Sequence, residues 1–133
     1  MKTRPMLTLE DCRKISDAAE TEARKNNWNV CIAILDDGGH LLHLARMDGA
    51  SPANARIAIE KGRTAAESRR STAVWQERIK ARPELLRMPD ITPIQGGLPI
   101  VVEGTCIGAV GISGVQSHED EQIGKAGIDA LGR

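Results

Sequence analysis

Lys61 interrupts a helical face otherwise made of small residues, so questions about chemistry begin with it. At about 100° per residue, a helix starting near Ser51 carries Asn54, Ala58, Lys61, Gly62, Ala65 and Ser68 on one side. Arg56, Glu60, Arg63, Glu67 and Arg70 form the opposite stripe and alternate in sign, as a solvated face does. A lysine among alanines and glycine must snorkel to water, pair with a buried acid or point into a pocket. The last helix offers acids: Glu119 and Asp120 project onto its apolar stripe, and Glu121 lies just outside it. An ammonium and a carboxylate in one dry site form an acid–base pair, suited to moving a proton in an isomerase, tautomerase or lyase. Asp48, in the loop Met47–Ala50, is a further candidate for that role. The same residues also serve without chemistry, as an ion pair and as acids offsetting a helix N-terminus, with Ser117 as its cap.

The remaining reactive side chains point elsewhere. His40 and His43 are three apart on a strand and face opposite sides, so they do not share one ion. His118 stands beside a helix start, and no metal site built by protein alone is expected. Any of the three could still serve as the one axial imidazole that a heme needs. Cys12, Cys31 and Cys106 lack the close spacing of a zinc or redox motif and read as buried small hydrophobes. Ser113 sits in ISGV, not in a nucleophile elbow. Glycines at 108, 111 and 114 leave gaps in a strand, which mark the close approach of backbone or ligand. Backbone amides near Gly114 could form an anion nest.

The elements that position these residues follow from periodicity. Thr8 and Asp11 resemble a capping box, and apolar positions 12, 15, 19 and 23 continue as a helix to about Lys25. WNVCIAIL (28–35) is a strand apolar on both faces, hence central; Asp36–Gly39 turns it into the returning strand 40–46. Ser51-Pro52 starts a helix running to about Arg70, and a further helix carries Val74, Trp75 and Ile79 until Pro83. RPELLRMPDITPIQGG is a punctuated connection, long enough for a lid or partner-binding arm. A second hairpin turning at Glu103-Gly104 and a last helix from about His118 to Leu131 complete one domain over 1–133. Hairpins without crossover units imply an α+β domain with a mainly antiparallel sheet.

Composition narrows the function classes. Eighteen basic and eighteen acidic residues leave no net field to recruit nucleic acid or an anionic membrane. Trp28 and Trp75 are the only aromatic residues, so base-stacking platforms are missing and nucleic acid is not an expected partner. The opening MKTRPMLTLEDC holds no apolar run of signal-peptide or membrane-span length, and a cytoplasmic chain is expected.

With these residues in place, the chain resembles the GlcG/HbpS-like domain family, related to the C-terminal domain of PduO-type corrinoid adenosyltransferases. The resemblance spans nearly the whole chain: the Asp36–Gly39 hairpin, RMDGA (46–50), Lys61-Gly-Arg-Thr64-Ala, GGLPI (96–100), IGAVGISG (107–114) and Asp120-Glu121. It implies a five-stranded antiparallel sheet flanked by helices, profilin-like or PAS-like in outline, in dimers or rings up to octamers. It implies a small-molecule ligand, heme or a corrinoid, in a sensing or catabolic role. The positions matching the shared pattern include Asp48, Lys61, Thr64, Gly96, Gly97, Gly114, Asp120 and Glu121. The binding reading puts the ligand between the helix from Ser51, the hairpin of 99–112 and the 87–97 connection. Arg46 and Lys61 would meet its carboxylates there, with His40, His43 or His118 ligating iron. The alternative is a cofactor-independent enzyme on a small carboxylate or carbonyl compound, with Lys61, Asp120 and Asp48 as its catalytic groups.

Overall fold

In the computed structural model, which describes residues 1–132, four helices enclose a four-stranded sheet. Helix α1 (Leu9–Lys25) starts where expected, because Thr8 and Asp11 cap each other's backbone. The Thr8 hydroxyl oxygen accepts from the Asp11 N–H at 3.1 Å, and the Asp11 carboxylate accepts from the Thr8 N–H at 2.9 Å. Strand β1 (Cys31–Asp36) is buried on both faces at most positions and runs through the centre of the sheet. At its end, the Asp36 carboxylate accepts from the N–H groups of Gly38 and His40, both at 2.9 Å. That closes the turn into β2 (Leu41–Arg46), an edge strand with Leu41, Leu42 and Leu44 exposed.

The α2 helix (Ala53–Ser68) begins one step later than the Ser51-Pro52 signal suggests: Pro52 itself occupies the capping position and no side chain caps the helix. It is followed by α3 (Thr72–Ala81) and a 3-10 turn (Pro83–Arg87). The second hairpin pairs β3 (Gly97–Val102) with β4 (Thr105–Ser113). Its turn residues Glu103 and Gly104 both take positive φ, 51° and 77°, the left-handed pair that a tight two-residue hairpin demands. Helix α4 (Ser117–Asp129) is capped by Gln116 with Glu119, not by Ser117 with Asp120. That shift by one residue frees Asp120 to turn inward.

The strands run in the order β2-β1-β4-β3, and every neighbouring pair is antiparallel. The five strands implied by the family resemblance are therefore corrected to four, the number the two hairpins supply. The 82–96 connection holds Pro83, Pro89 and Pro93, and each lacks the N–H that a ladder needs. It forms the 3-10 turn and a loop instead. Alternation gives the sheet two unlike faces. Ile32, Ile34, Val110, Ile112 and Ile100 pack against α1 and α4 around Ile15 and Ile123. Cys31, Ala33 and Leu35 face α2 at Ala58. Cys12 and Cys31 are buried thiols, whereas Cys106 is half-buried at the start of β4.

Candidate functional site

Lys61 projects from α2, on one face of the sheet, and Asp120 from α4, on the other. They meet at the margin where β3 begins. The Lys61 Nζ donates to Asp120 Oδ2 at 2.9 Å and to the Ile112 carbonyl at 3.0 Å. The other carboxylate oxygen of Asp120 accepts from the Val115 N–H at 3.1 Å. The two side chains are only 3% and 2% exposed. Burial pushes the Asp120 carboxyl above its ordinary pKa, and Lys61 and the Val115 N–H pull it back only in part.

Glycine makes the crossing possible. A Cβ added at Gly96, whose φ is +135°, would stand 2.8 Å from the Lys61 Nζ and 2.7 Å from the Ile112 carbonyl oxygen. One at Gly97 would collide with the Lys61 backbone carbonyl. The small-residue face of α2 thus lets the helix lie close on the sheet. The missing side chains at 96 and 97 clear the corridor along which the lysine reaches α4.

The loop before β3 is fastened from three helices. Thr64 Oγ1 on α2 accepts from the Thr92 N–H at 2.9 Å. On α3, the Gln76 amide oxygen accepts from the Gln95 N–H at 2.8 Å and Thr72 Oγ1 from the Gly97 N–H at 2.9 Å. On α4, Glu121 accepts from the Gln95 side chain at 3.0 Å. Between α2, α3 and this loop lies a cavity of about 160 Å³, walled by Thr64, Ser68, Trp75, Met88 and Ile91 with Glu67 and Asp90 at the sides. The Trp75 indole donates to Ser68 Oγ at 2.9 Å.

The residues singled out from the sequence therefore separate into groups. Lys61, Asp120, Gly96 and Gly97 come together inside the protein, and none of them lines the cavity. Thr64 alone of the expected ligand contacts reaches it, and Glu121 steadies the loop beyond. The wall expected from the 99–112 hairpin is not part of it. Arg46 ends β2, Asp48 follows in an exposed loop, and Gly114 leaves β4 against the Asn29 carbonyl. These three belong to the end of the sheet where Cys31 pairs with both Arg46 and Ser113. Of the histidines, His40 and His118 are exposed and His43 is half-buried on the edge strand. Met88 and Ile91 belong to the 87–97 connection expected to flank a ligand, whereas Trp75, an apolar position of its helix, carried no such signal.

Residues 7–129 match the family described as haem degrading protein HbpS-like. This chain belongs to the HbpS-like family. It is 47% identical over 114 residues to protein GlcG of Escherichia coli K12, covering 85% of each chain. An uncharacterized 15.0 kDa protein from the dhaT-dhaS intergenic region of Citrobacter freundii is 30% identical, with 94% of this chain and 92% of that one covered. Among solved structures, a double mutant of HbpS from Streptomyces reticuli superposes with a TM-score of 0.92 at 30% identity, covering 100% of this chain and 92% of its own. A PduOC:heme complex superposes at 0.87 with 24% identity, over 95% of both chains, and establishes the shared fold alone. Among the described residues, no helix is long and apolar enough to cross a membrane, and no group of three or more His, Cys, Asp or Glu side chains could hold a metal ion.

Proposed function

We propose that this HbpS-like chain is a binding module for a tetrapyrrole, with heme the principal ligand and a corrinoid the runner-up. The observation that carries the reading is which reactive groups face solvent. The ammonium and carboxylate of Lys61 and Asp120 spend their hydrogen bonds on each other and on backbone, enclosed in protein. Two imidazoles, His40 and His118, are open to solvent and His43 is partly so. One imidazole is the donor that heme iron requires, so the residues fit the group. Heme bound there would supply a redox-active iron, and the chain's part is to hold it and limit access to it. The family's description as haem degrading points the same way.

Size bears on where the ligand sits. A cavity of about 160 Å³ falls short of the roughly 300–1,000 Å³ that encloses a drug-sized molecule. The proposal accordingly puts a macrocycle on the surface or between copies of the chain. A cytoplasmic homo-oligomer, dimer to octamer, goes with this reading, and the exposed Leu41, Leu42 and Leu44 on the edge strand β2 are suited to such a contact. The enzyme alternative would have to work with Lys61 and Asp120 shut in and with Asp48 in an exposed loop, which is why the binding reading is preferred.

Titration of the purified chain with hemin tests the proposal. An intense Soret band saturating at a fixed stoichiometry is expected, and cobalamin added in a parallel titration should compete weakly or not at all. A hemin spectrum unchanged from that of free hemin, with no mass retained in native mass spectrometry, overturns it. Sedimentation of a clean monomer at micromolar concentration would remove the oligomeric part.

A further inference from the structure

The cavity between α2, α3 and the loop before β3 has a lining that the tetrapyrrole reading does not use. Its inner walls are apolar, with Trp75, Met88 and Ile91 around the space. The polar groups set among them are largely committed. The Trp75 indole donates to Ser68 Oγ at 2.9 Å, and Ser68 Oγ donates in turn to the Thr64 carbonyl at 2.6 Å. Thr64 Oγ1 accepts from the Thr92 N–H and the Gln76 side chain from the Gln95 N–H, which ties the loop to both helices. The space is therefore shaped before any ligand arrives, which lowers the cost of filling it. Its volume of about 160 Å³ suits an apolar body of roughly six heavy atoms, since a dry cavity of about 150 Å³ takes benzene.

Negative charge gathers at the solvent edge of this cavity. Glu67 and Asp90 both line it, with side chains 49% and 75% exposed. Arg63 stands 3.9 Å from Glu67 and 3.8 Å from Asp90, beyond hydrogen-bond length, while its guanidinium donates to Glu60. One guanidinium thus stands among three carboxylates. Among the described residues, no Lys or Arg lines the cavity, and Arg78 lies over the Trp75 ring, 5.3 Å from its centroid, outside that lining. Asp90 is held in the left-handed region, at φ 55°, which Asp adopts more readily than most residues. An apolar seat with uncompensated negative charge at its mouth matches an amphiphile with a cationic head. We propose that this cavity binds a small organic cation, a primary ammonium on a short apolar body, with the body against Trp75, Met88 and Ile91 and the charge met by Glu67 and Asp90. No histidine takes part, so the proposal stands or falls apart from the tetrapyrrole reading.

The test is titration of the full chain with n-pentylammonium, followed by the Trp75 indole N–H resonance, with 1-pentanol and pentanoate as neutral and anionic counterparts of similar length. A saturable shift at about millimolar pentylammonium is expected, weaker binding of pentanol and none of pentanoate. Added salt should weaken the ammonium and leave pentanol unchanged. The double variant Glu67→Gln, Asp90→Asn should lose about tenfold in ammonium affinity and nothing in pentanol affinity. Both positions are exposed and Asn tolerates the left-handed backbone, so the fold should survive, as circular dichroism checks. Ile91→Phe, which fills the space, should weaken both ligands. Shifts that do not saturate, or pentanol binding as tightly as the ammonium, overturn the proposal. So does a double variant that binds pentylammonium like wild type, or an Ile91→Phe chain that binds it undiminished.

Discussion

The two faces of the sheet are built from the same strands and solve opposite problems. Toward α1 and α4, Ile32, Ile34, Val110, Ile112 and Ile100 form a thick aliphatic layer whose burial supplies most of the driving force. Toward α2, Cys31, Ala33, Ala109 and Gly111 leave so little bulk that helix backbone and strand backbone nearly touch. A Cβ at Gly111 would collide with the Ala58 carbonyl. Bulk tolerates exchange of one aliphatic for another, whereas close approach of backbones tolerates nothing. The enclosed Lys61–Asp120 pair lies at the margin of the thin face, where side chains as short as hydrogen leave room to pass.

The largest effect is expected from severing that pair on one side only. Asp120→Ala should cost about 3–5 kcal/mol in denaturant unfolding, because it removes one partner of a buried pair and leaves Lys61 in a dry site without its carboxylate. Lys61→Met combined with Asp120→Leu should recover most of the loss, and a double mutant no more stable than Asp120→Ala would contradict this account. Next comes the thick face: Ile112→Ala should cost about 2–5 kcal/mol, set by how far its neighbours close the gap. The thin face should respond to addition instead of removal. Gly111→Ala should cost about 1–3 kcal/mol or more, and Gly62→Ala less, since its new methyl meets the end of the Leu35 side chain, which can turn away. Equal costs for the two would mean that the helix floats on the sheet more freely than the packing indicates.

The smallest effect lies outside both faces, at the α1 cap. Thr8→Ala should cost about 1 kcal/mol. Backbone and hydroxyl hydrogen bonds from Thr8 hold the Asp11 carboxyl below its ordinary 3.8, so its contribution is present above that value and fades as pH falls through the lowered native pKa. Asp120 has the opposite sign: its raised native pKa gives a contribution that is full below 3.8 and declines as pH rises through the native value. Unfolding midpoints measured across the acid range should therefore fall less steeply in Asp11→Asn and more steeply in Asp120→Asn.

Much of this contrast was legible in the residues. The misfit of a lysine on a small-residue face, with Glu119 and Asp120 projected inward on the last helix, singled out Lys61 and its two candidate partners; the structure selects Asp120. Two hairpins counted from turn chemistry gave four strands, and the fifth that the family resemblance implied is absent among the described residues. Helix starts were less legible. Ser51 and Ser117 have the right side chains for caps, yet tertiary packing moved each boundary by a residue or so. The candidate ligand contacts scattered because periodicity assigns a residue to a face of its element, not to a place along the sheet. Arg46 and Lys61 were both expected to meet a ligand's carboxylates, but one ends an exposed edge strand and the other is sealed inside. The setting of His40 required a turn conformation, in which a carboxylate four residues earlier folds back on the ring.

The corridor cleared by Gly96 and Gly97 also bears on how the chain finds its fold. The partners it joins lie 59 residues apart in sequence, on helices that pack against opposite sides of the sheet. They can close only after β3 has paired with β4 in the correct register, with Gly97 opposite Gly111. A slip by one residue would bring Leu98 into the corridor and leave two charges stranded in a dry interior. The ion pair is thus compatible only with the native alignment of β3 on β4, and its cost when unpaired weighs against the others.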